Sequence, residues 1–341
     1  MPAPAQQPGL RIALVFPGQG AQHPRMAAGL YGHDEVFTQT MDEAFALLGE
    51  DGRRTRAEWL AAEPSPAFDD VTVSQPLLYA VNHALGRMVL GWGVRPAALL
   101  GHSVGELTAA TLAGVLAFPD GIRLMRARIE QFAKTPPGGM LAVAAGVEEV
   151  ADLLGGDVHL AALNAPRQLL LAGERAALDR AAAVLRERGL VCRDALARQA
   201  FHSPVVDGAV EESMADWRAV PLGPPRLPVY SAYTRAVLTA EQARDPRFWA
   251  RQAADTVYFA PALDRLLADH DCVLVEAGPG NSLSALARRH VRVVRGPSEV
   301  APLLPDRPRG DAADRAAVAA ARERIAALAA PAVAAAPAGS R

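Results

Sequence analysis

The chain has 341 residues, 50% hydrophobic and 21% charged, with only two cysteines, which excludes a wholly disordered chain and a disulfide scaffold. Its 35 basic and 37 acidic side chains leave a formal charge of -2, so no basic face broad enough to follow a nucleic-acid backbone is expected. At the start of the chain the apolar run covers only residues 12–16, without the charged flank and long apolar core of a secretory signal.

Residues 10–16 alternate and then run apolar into Pro17-Gly18-Gln19-Gly20, the pattern of a buried strand entering a tight loop. Apolar residues at helical spacing predict a helix over 76–92, followed by a strand over 97–100, a glycine turn and a helix over 104–116. A different rhythm follows: strand 140–145, helix 147–154, strands 158–163 and 168–172, helix 174–188 and strand 190–195. That βαββαβ order is the ferredoxin-like split unit. The larger pattern resumes with a strand at 229–232, helices at 246–253 and 261–268, and a strand at 272–276 ended by Gly278-Pro279-Gly280.

The expected fold class is α/β. Residues 10–138 and 201–300 form an α/β-hydrolase-like large domain, and 139–200 an inserted ferredoxin-like small subdomain, with a ligand cleft between them. Residues 301–341 read as a C-terminal linker with a helix over 312–328 and a disordered tail. The Ala-rich stretch 317–338 is broken by Arg322, Glu323, Arg324 and Pro331, so it cannot supply the roughly 20 uncharged apolar residues of a membrane span. Cys192 and Cys272 fit no metal-ligand spacing. No metal, no membrane and a cytoplasmic setting are expected.

Gly101-His102-Ser103-Val104-Gly105 is G-x-S-x-G, set between a predicted strand and a predicted helix. On such a turn the flanking glycines avoid backbone clashes and expose the serine oxygen, while the helix N-terminus supplies amides to a developing oxyanion. A serine nucleophile needs a base. Among eight histidines, His102 is adjacent to Ser103 and its side chain diverges on the turn. His202, in Gln199-Ala200-Phe201-His202-Ser203-Pro204, sits where the chain re-enters the large domain and borders the cleft. Gly18-Gln19-Gly20 does not continue as a dinucleotide loop, because His23 stands where G-x-G-x-x-G needs its last glycine.

Four segments occur in order: Phe16-Pro17-Gly18-Gln19-Gly20-Ala21-Gln22, Gly101-His102-Ser103-Val104-Gly105-Glu106, Ala200-Phe201-His202-Ser203-Pro204 and Glu276-Ala277-Gly278-Pro279-Gly280. Together they resemble the malonyl-CoA:acyl-carrier-protein transacylases and the acyltransferase domains of polyketide synthases, over residues 11–295. The resemblance implies Ser103 as nucleophile and His202 as base, oriented by the backbone carbonyl of Gln252, with the backbone amides of Gln19 and Val104 as oxyanion hole. It also implies an arginine that binds the free carboxylate of malonate through a bidentate fork. Arg128 is the expected residue and Arg126 the alternative; the two lie about 200° apart around a helix, so both cannot face one cleft.

His102 and Phe201 are expected beside the substrate. Gln-Ala-Phe-His at 199–202 resembles the H-A-F-H pattern of malonyl-selective relatives, and a bulky Phe201 would exclude an extra methyl group. The implied activity is transfer of a malonyl group from malonyl-CoA to the phosphopantetheine thiol of an acyl carrier protein or synthase carrier domain, in polyketide or fatty-acid biosynthesis. It proceeds by a ping-pong Ser-His mechanism without a cofactor. The alternatives are a different or larger acyl group, carrier-to-carrier transfer included, and an α/β-hydrolase thioesterase using the same turn. Arg288, Arg289, His290, Arg292 and Arg295 form a basic cluster read as a solvated edge.

Overall fold

The computed structural model describes residues 9–329. Its strands, in chain order, are β1 (Arg11–Phe16), β2 (Ala98–Gly101), β3 (Gly138–Val143), β4 (Val158–Ala165), β5 (Gln168–Glu174), β6 (Cys192–Asp194), β7 (Val229–Ser231), β8 (Ala236–Val237), β9 (Cys272–Glu276) and β10 (Glu299–Val300). Six of them form a sheet in the order β10-β9-β1-β2-β7-β8, parallel except for β8. Successive side chains of β1 serve opposite faces. Leu14 and Phe16 enter one core with the helices Val71–Gly91 and Val104–Leu112, while Ala13 and Val15 enter another with the helix Phe259–Asp269. This burial on both faces is why β1 reads as a near-continuous apolar run.

The second sheet, β4-β5-β3-β6, is antiparallel throughout and drawn wholly from the βαββαβ stretch. The helix Arg175–Glu187 covers one face, with Leu178, Ala181 and Leu185 on Leu141, Val143 and Leu171. The fold class is therefore the expected one: a large α/β unit carrying a small ferredoxin-like sheet. The two join along β4, where the amides of Leu163 and Val257 donate to the carbonyls of Val257 and Ala161 at 2.8 and 2.9 Å. Thr256 adds a side-chain bond to the Leu160 carbonyl at 2.6 Å.

Several elements differ from expectation for local reasons. The helix predicted from Pro76 begins at Val71, because Asp70 caps it by accepting from the Thr72 amide and the proline falls in an early turn. The helix predicted over 104–116 stops at Leu112 in a Schellman motif: Gly114 takes a φ of 77°, and the amides of Gly114 and Val115 close onto Thr111 and Ala110. The segment predicted as an α-helix over 147–154 is a 3₁₀ helix, Val147–Leu153. Phe118–Phe132 is the helix expected to carry Arg126 and Arg128, while the helices Glu35–Leu48, Glu50–Leu60 and Asp207–Arg218 lie outside the elements predicted from the sequence.

The helix Asp311–Ala329 packs back on the large unit instead of trailing as a linker. The Leu10 amide donates to the Leu328 carbonyl at 2.9 Å, and Arg25 grips both oxygens of Asp311 at 2.8 Å. The tail expected to be disordered lies outside the described residues. Among those residues no helix is long and apolar enough to cross a membrane, and no cluster of three or more His, Cys, Asp or Glu is placed to hold a metal.

Candidate active site

The loops after β1 and β2 meet at the carboxyl ends of the central strands, where open α/β sheets bind ligands. Gly101 lies directly under the Glu106 amide and Gly105 under the Phe16 carbonyl, so a Cβ at either position would collide with backbone. That close approach folds the strand sharply into the helix, and Ser103 is held between them at φ 53° and ψ -120°, a region that costs a non-glycine residue of order 1–3 kcal/mol. Gly18 also packs on the His102 carbonyl, too close for a Cβ, which brings the β1 loop against the serine turn. The amides of Gln19 and Val104 have no hydrogen-bond acceptor among the described residues. The Gln75 side chain donates to Gln19 Oε1 at 2.8 Å and fixes that loop from the helix Val71–Gly91.

The Ser103 hydroxyl donates to His202 Nε2 at 2.9 Å. The acceptor role of Nε2 follows from the opposite side of the ring: Nδ1 faces the Asp255 carbonyl at 3.0 Å, which can only accept, so Nδ1 carries the proton. The turn after the helix Pro246–Arg251 wraps the histidine: Ala253 accepts from the His202 amide at 2.7 Å, the Asp255 carbonyl reaches the ring, and the backbone of Gln252, the expected orienter, also bears on the imidazole. Gln252 turns its side chain the other way, donating to Glu106 Oε1 at 3.1 Å. His202 is itself held at φ 60°. Burial first, then the neighbouring His102 and Arg128, push its pKa down to about 3, so the ring is neutral near pH 7.

The helix Phe118–Phe132 decides between the two arginines. Arg126 is exposed and points away, 3.5 Å from Asp51. Arg128 lines a cavity of about 80 Å³ together with Gln19, Ser103, Phe201 and His202. Its guanidinium lies over the Phe132 ring at 5.3 Å and has no carboxylate partner among the described residues. Burial lowers its pKa, but an arginine stays charged in a protein. Phe201 packs edge-on against Phe132 at 4.9 Å and forms part of the wall. His102 also lines the cavity, and its Nε2 donates to Asn164 Oδ1 on β4 at 2.7 Å, a direct tie between the serine turn and the small sheet. The small sheet and its exit strand add Met140, Leu170 and the segment 195–197 to the rim.

Three residues near the site escaped the sequence reading. Asn164 sits in a strand with no motif around it. Glu106, quoted only as the end of the serine motif, is fully buried, accepts from the Ala232 amide at 2.7 Å and from Gln252, and is pushed up to about 8 by burial. Tyr233, just past β7, has its ring 6.3 Å from the His202 imidazole. The basic cluster at 288–295 is largely exposed, with His290 bound to Asp264 at 2.8 Å.

The family model for the acyl transferase domain matches residues 13–327. The chain belongs to that family. The match reaches past residue 295, where the sequence resemblance was placed, because the helix Asp311–Ala329 is part of the fold. This acyl transferase domain is 37% identical over 281 residues to a phenolphthiocerol/phthiocerol polyketide synthase protein of Mycobacterium tuberculosis, covering 82% of this chain and 19% of that protein. The chain thus spans under a fifth of that relative's length. Among solved structures it is similar to the acyl transferase domain of SpnD in complex with 2-(pent-4-yn-1-yl)malonyl, with a TM-score of 0.87, 34% identity, and coverage of 97% of this chain and 80% of that one. The malonyl CoA-acyl carrier protein transacylase of Coxiella burnetii shares the fold, with a TM-score of 0.80 at 24% identity over 93% of this chain and 98% of that one.

Proposed function

We propose that this acyl transferase domain moves a malonyl group from malonyl-CoA to the phosphopantetheine thiol of an acyl carrier protein or synthase carrier domain. The observation that carries the reading is a neutral Ser103–His202 pair opening into the same small cavity as an unpartnered Arg128. Ser103 Oγ attacks the thioester carbonyl as its proton passes to His202 Nε2. The free amides of Gln19 and Val104 serve as donors to the oxyanion. Collapse expels the CoA thiolate, which leaves with the proton from Nε2, and a malonyl ester remains on Ser103. The carrier thiol then gives its proton to Nε2 and attacks the ester carbonyl, and Ser103 leaves with that proton. The Asp255 carbonyl keeps the ring in the tautomer that both half-reactions use.

Arg128 meets the free carboxylate with its two-pronged fork, and an acetyl group would leave that half-buried charge unpaired. A substituted malonyl group is the second reading, favoured by the substituted malonyl in the SpnD complex. The test is intact-protein mass after brief exposure to equimolar malonyl-, methylmalonyl- and acetyl-CoA. A malonyl adduct on the wild type and none on Ser103→Ala supports the first reading and a methylmalonyl adduct the second. Free CoA released without an adduct would point to hydrolysis and sink both.

A further inference from the structure

We propose that Glu106 is a positioning residue for the base: its two carboxyl oxygens brace both ends of the segment 252–258, whose carbonyls hold His202 against Ser103. The inference rests on the reading of His202 as base to Ser103.

The brace is direct at one end and passes through one residue at the other. Glu106 Oε1 accepts from the Gln252 side chain at 3.1 Å, at the start of the segment. Oε2 accepts from the Ala232 amide at 2.7 Å, and the Ala232 carbonyl in turn accepts from the Tyr258 amide at 2.6 Å, at the end of the segment. Between these points the Ala253 carbonyl takes the His202 amide at 2.7 Å, and the Asp255 carbonyl faces Nδ1 at 3.0 Å. Glu106 belongs to the helix Val104–Leu112, which begins directly after Ser103, so nucleophile and brace move as one body. Within the described residues, the hydrogen bonds of segment 252–258 reach that helix only through Glu106.

A buried carboxyl is a costly way to fill space, and Glu106 is fully buried with no basic hydrogen-bond partner among the described residues. Uncharged amides engage both of its oxygens instead, and a polar network satisfied in this way specifies one arrangement of its members. His202 needs such a frame, because its backbone is held at φ 60°, a region that a non-glycine residue keeps only when its surroundings over-determine it. The other supports of the segment do not refer to the nucleophile. Thr256 and Val257 tie it to β4, and the Arg251–Asp255 pair at 2.6 Å is partly exposed and screened by solvent.

The test is Glu106→Gln, whose side chain offers one oxygen where the carboxyl offers two and turns an N–H group toward a donor. Acylation by malonyl-CoA is followed by rapid quench and intact mass. The His202 Nδ1–H proton is followed by NMR on protein labelled at the histidine nitrogens, its line identified by its absence from His202→Ala. The expected result is a fall of about 10- to 100-fold in the saturating acylation rate, the scale of a displacement of up to about 1 Å, with the half-saturating malonyl-CoA concentration unchanged and the Nδ1–H line moved. Exchanging the pair, Glu106→Gln with Gln252→Glu, again sets a donor opposite each acceptor, and should return the line and bring the rate to within about threefold of wild type. If Glu106→Gln does not fold, Gln252→Ala removes the direct brace alone and should give the same signs at smaller size. A wild-type rate in the single variants would overturn the proposal, as would a lost rate with an unmoved line, or a folded exchanged pair that recovers neither. A wild type that takes no acyl group from malonyl-CoA, while Glu106→Gln still moves the line, sinks the proposed function and not the brace.

Discussion

The two sheets handle charge in opposite ways. In the small sheet and its helix the ionisable groups are exposed and paired in the ordinary manner: Arg188 with Asp152 at 2.5 Å, Arg167 with Glu149 at 2.6 Å, Arg175 with Asp194 at 2.7 Å. Arg188 accordingly holds the Asp152 carboxyl below its usual value, and the Gly146 amide, then Arg167, do the same for Glu149. In the large unit burial moves groups away from their charged forms: His202 and His83 down to about 3, Glu106 up to about 8, Glu276 up to about 7. Displaced ionisation of this kind gathers where chemistry is arranged. The comparison teaches that the large unit holds the paired Ser103 and His202, while the small sheet supplies a wall and, through Asn164, a side-chain tie to the serine turn.

The sharpest way to break that division is at the serine. Ser103→Ala should abolish acyl-enzyme formation, a loss of at least about 10⁴-fold, while leaving the small sheet's amide exchange untouched. Next, Arg128→Ala should slow malonyl acylation by about 10²- to 10³-fold, the scale of truncating one partner of a buried charge pair. With both rates read by stopped-flow acylation from malonyl-CoA, Arg126→Ala should stay within twofold, and equal effects would refute the assignment of the cleft arginine.

Glu106→Gln tests the displaced ionisation itself. Its folded pKa of about 8 lies above the unfolded value of 4.5, so the folded protein binds more protons across that window and stability falls as pH rises through it. Denaturant midpoints at pH 5 and pH 8 should differ less in Glu106→Gln than in the wild type. Glu276 contributes in the same direction up to about pH 7, so the slope shrinks without vanishing. The smallest effect is expected across the join: Asn164→Ala removes one hydrogen bond, worth about 1 kcal/mol, and should loosen amide exchange along β4 while the malonyl adduct still forms. Loss of the adduct would mean that the small sheet takes part in the chemistry.

Ser103 and His202 were legible because their signals are local: a glycine-flanked serine between strand and helix, and a histidine where the chain re-enters the large unit. The sheet order of the small unit followed from its alternating elements for the same reason. Choosing between Arg126 and Arg128 required the rotational phase of one helix, which a two-residue spacing cannot supply. The Asp255 carbonyl joins Gln252 at the histidine because a carbonyl belongs to every residue, and only the path of the turn brings particular ones to the ring. Glu106, Asn164 and Tyr233 act across separations such as the 126 residues between Glu106 and Ala232, and no pattern in the chain encodes such a meeting. The helix Glu35–Leu48, by contrast, carries a readable local signature, an Asp34 cap with Phe37, Met41, Ala44 and Leu48 at helical spacing.

The bond from the Leu10 amide to the Leu328 carbonyl has an engineering consequence. Entry to and exit from the described fold lie side by side, so the unit is geometrically suited to splicing into another polypeptide at a single port, with its cleft in a fixed orientation to both flanking segments. The same proximity favours a circular permutant joined between these two points and reopened at an exposed loop.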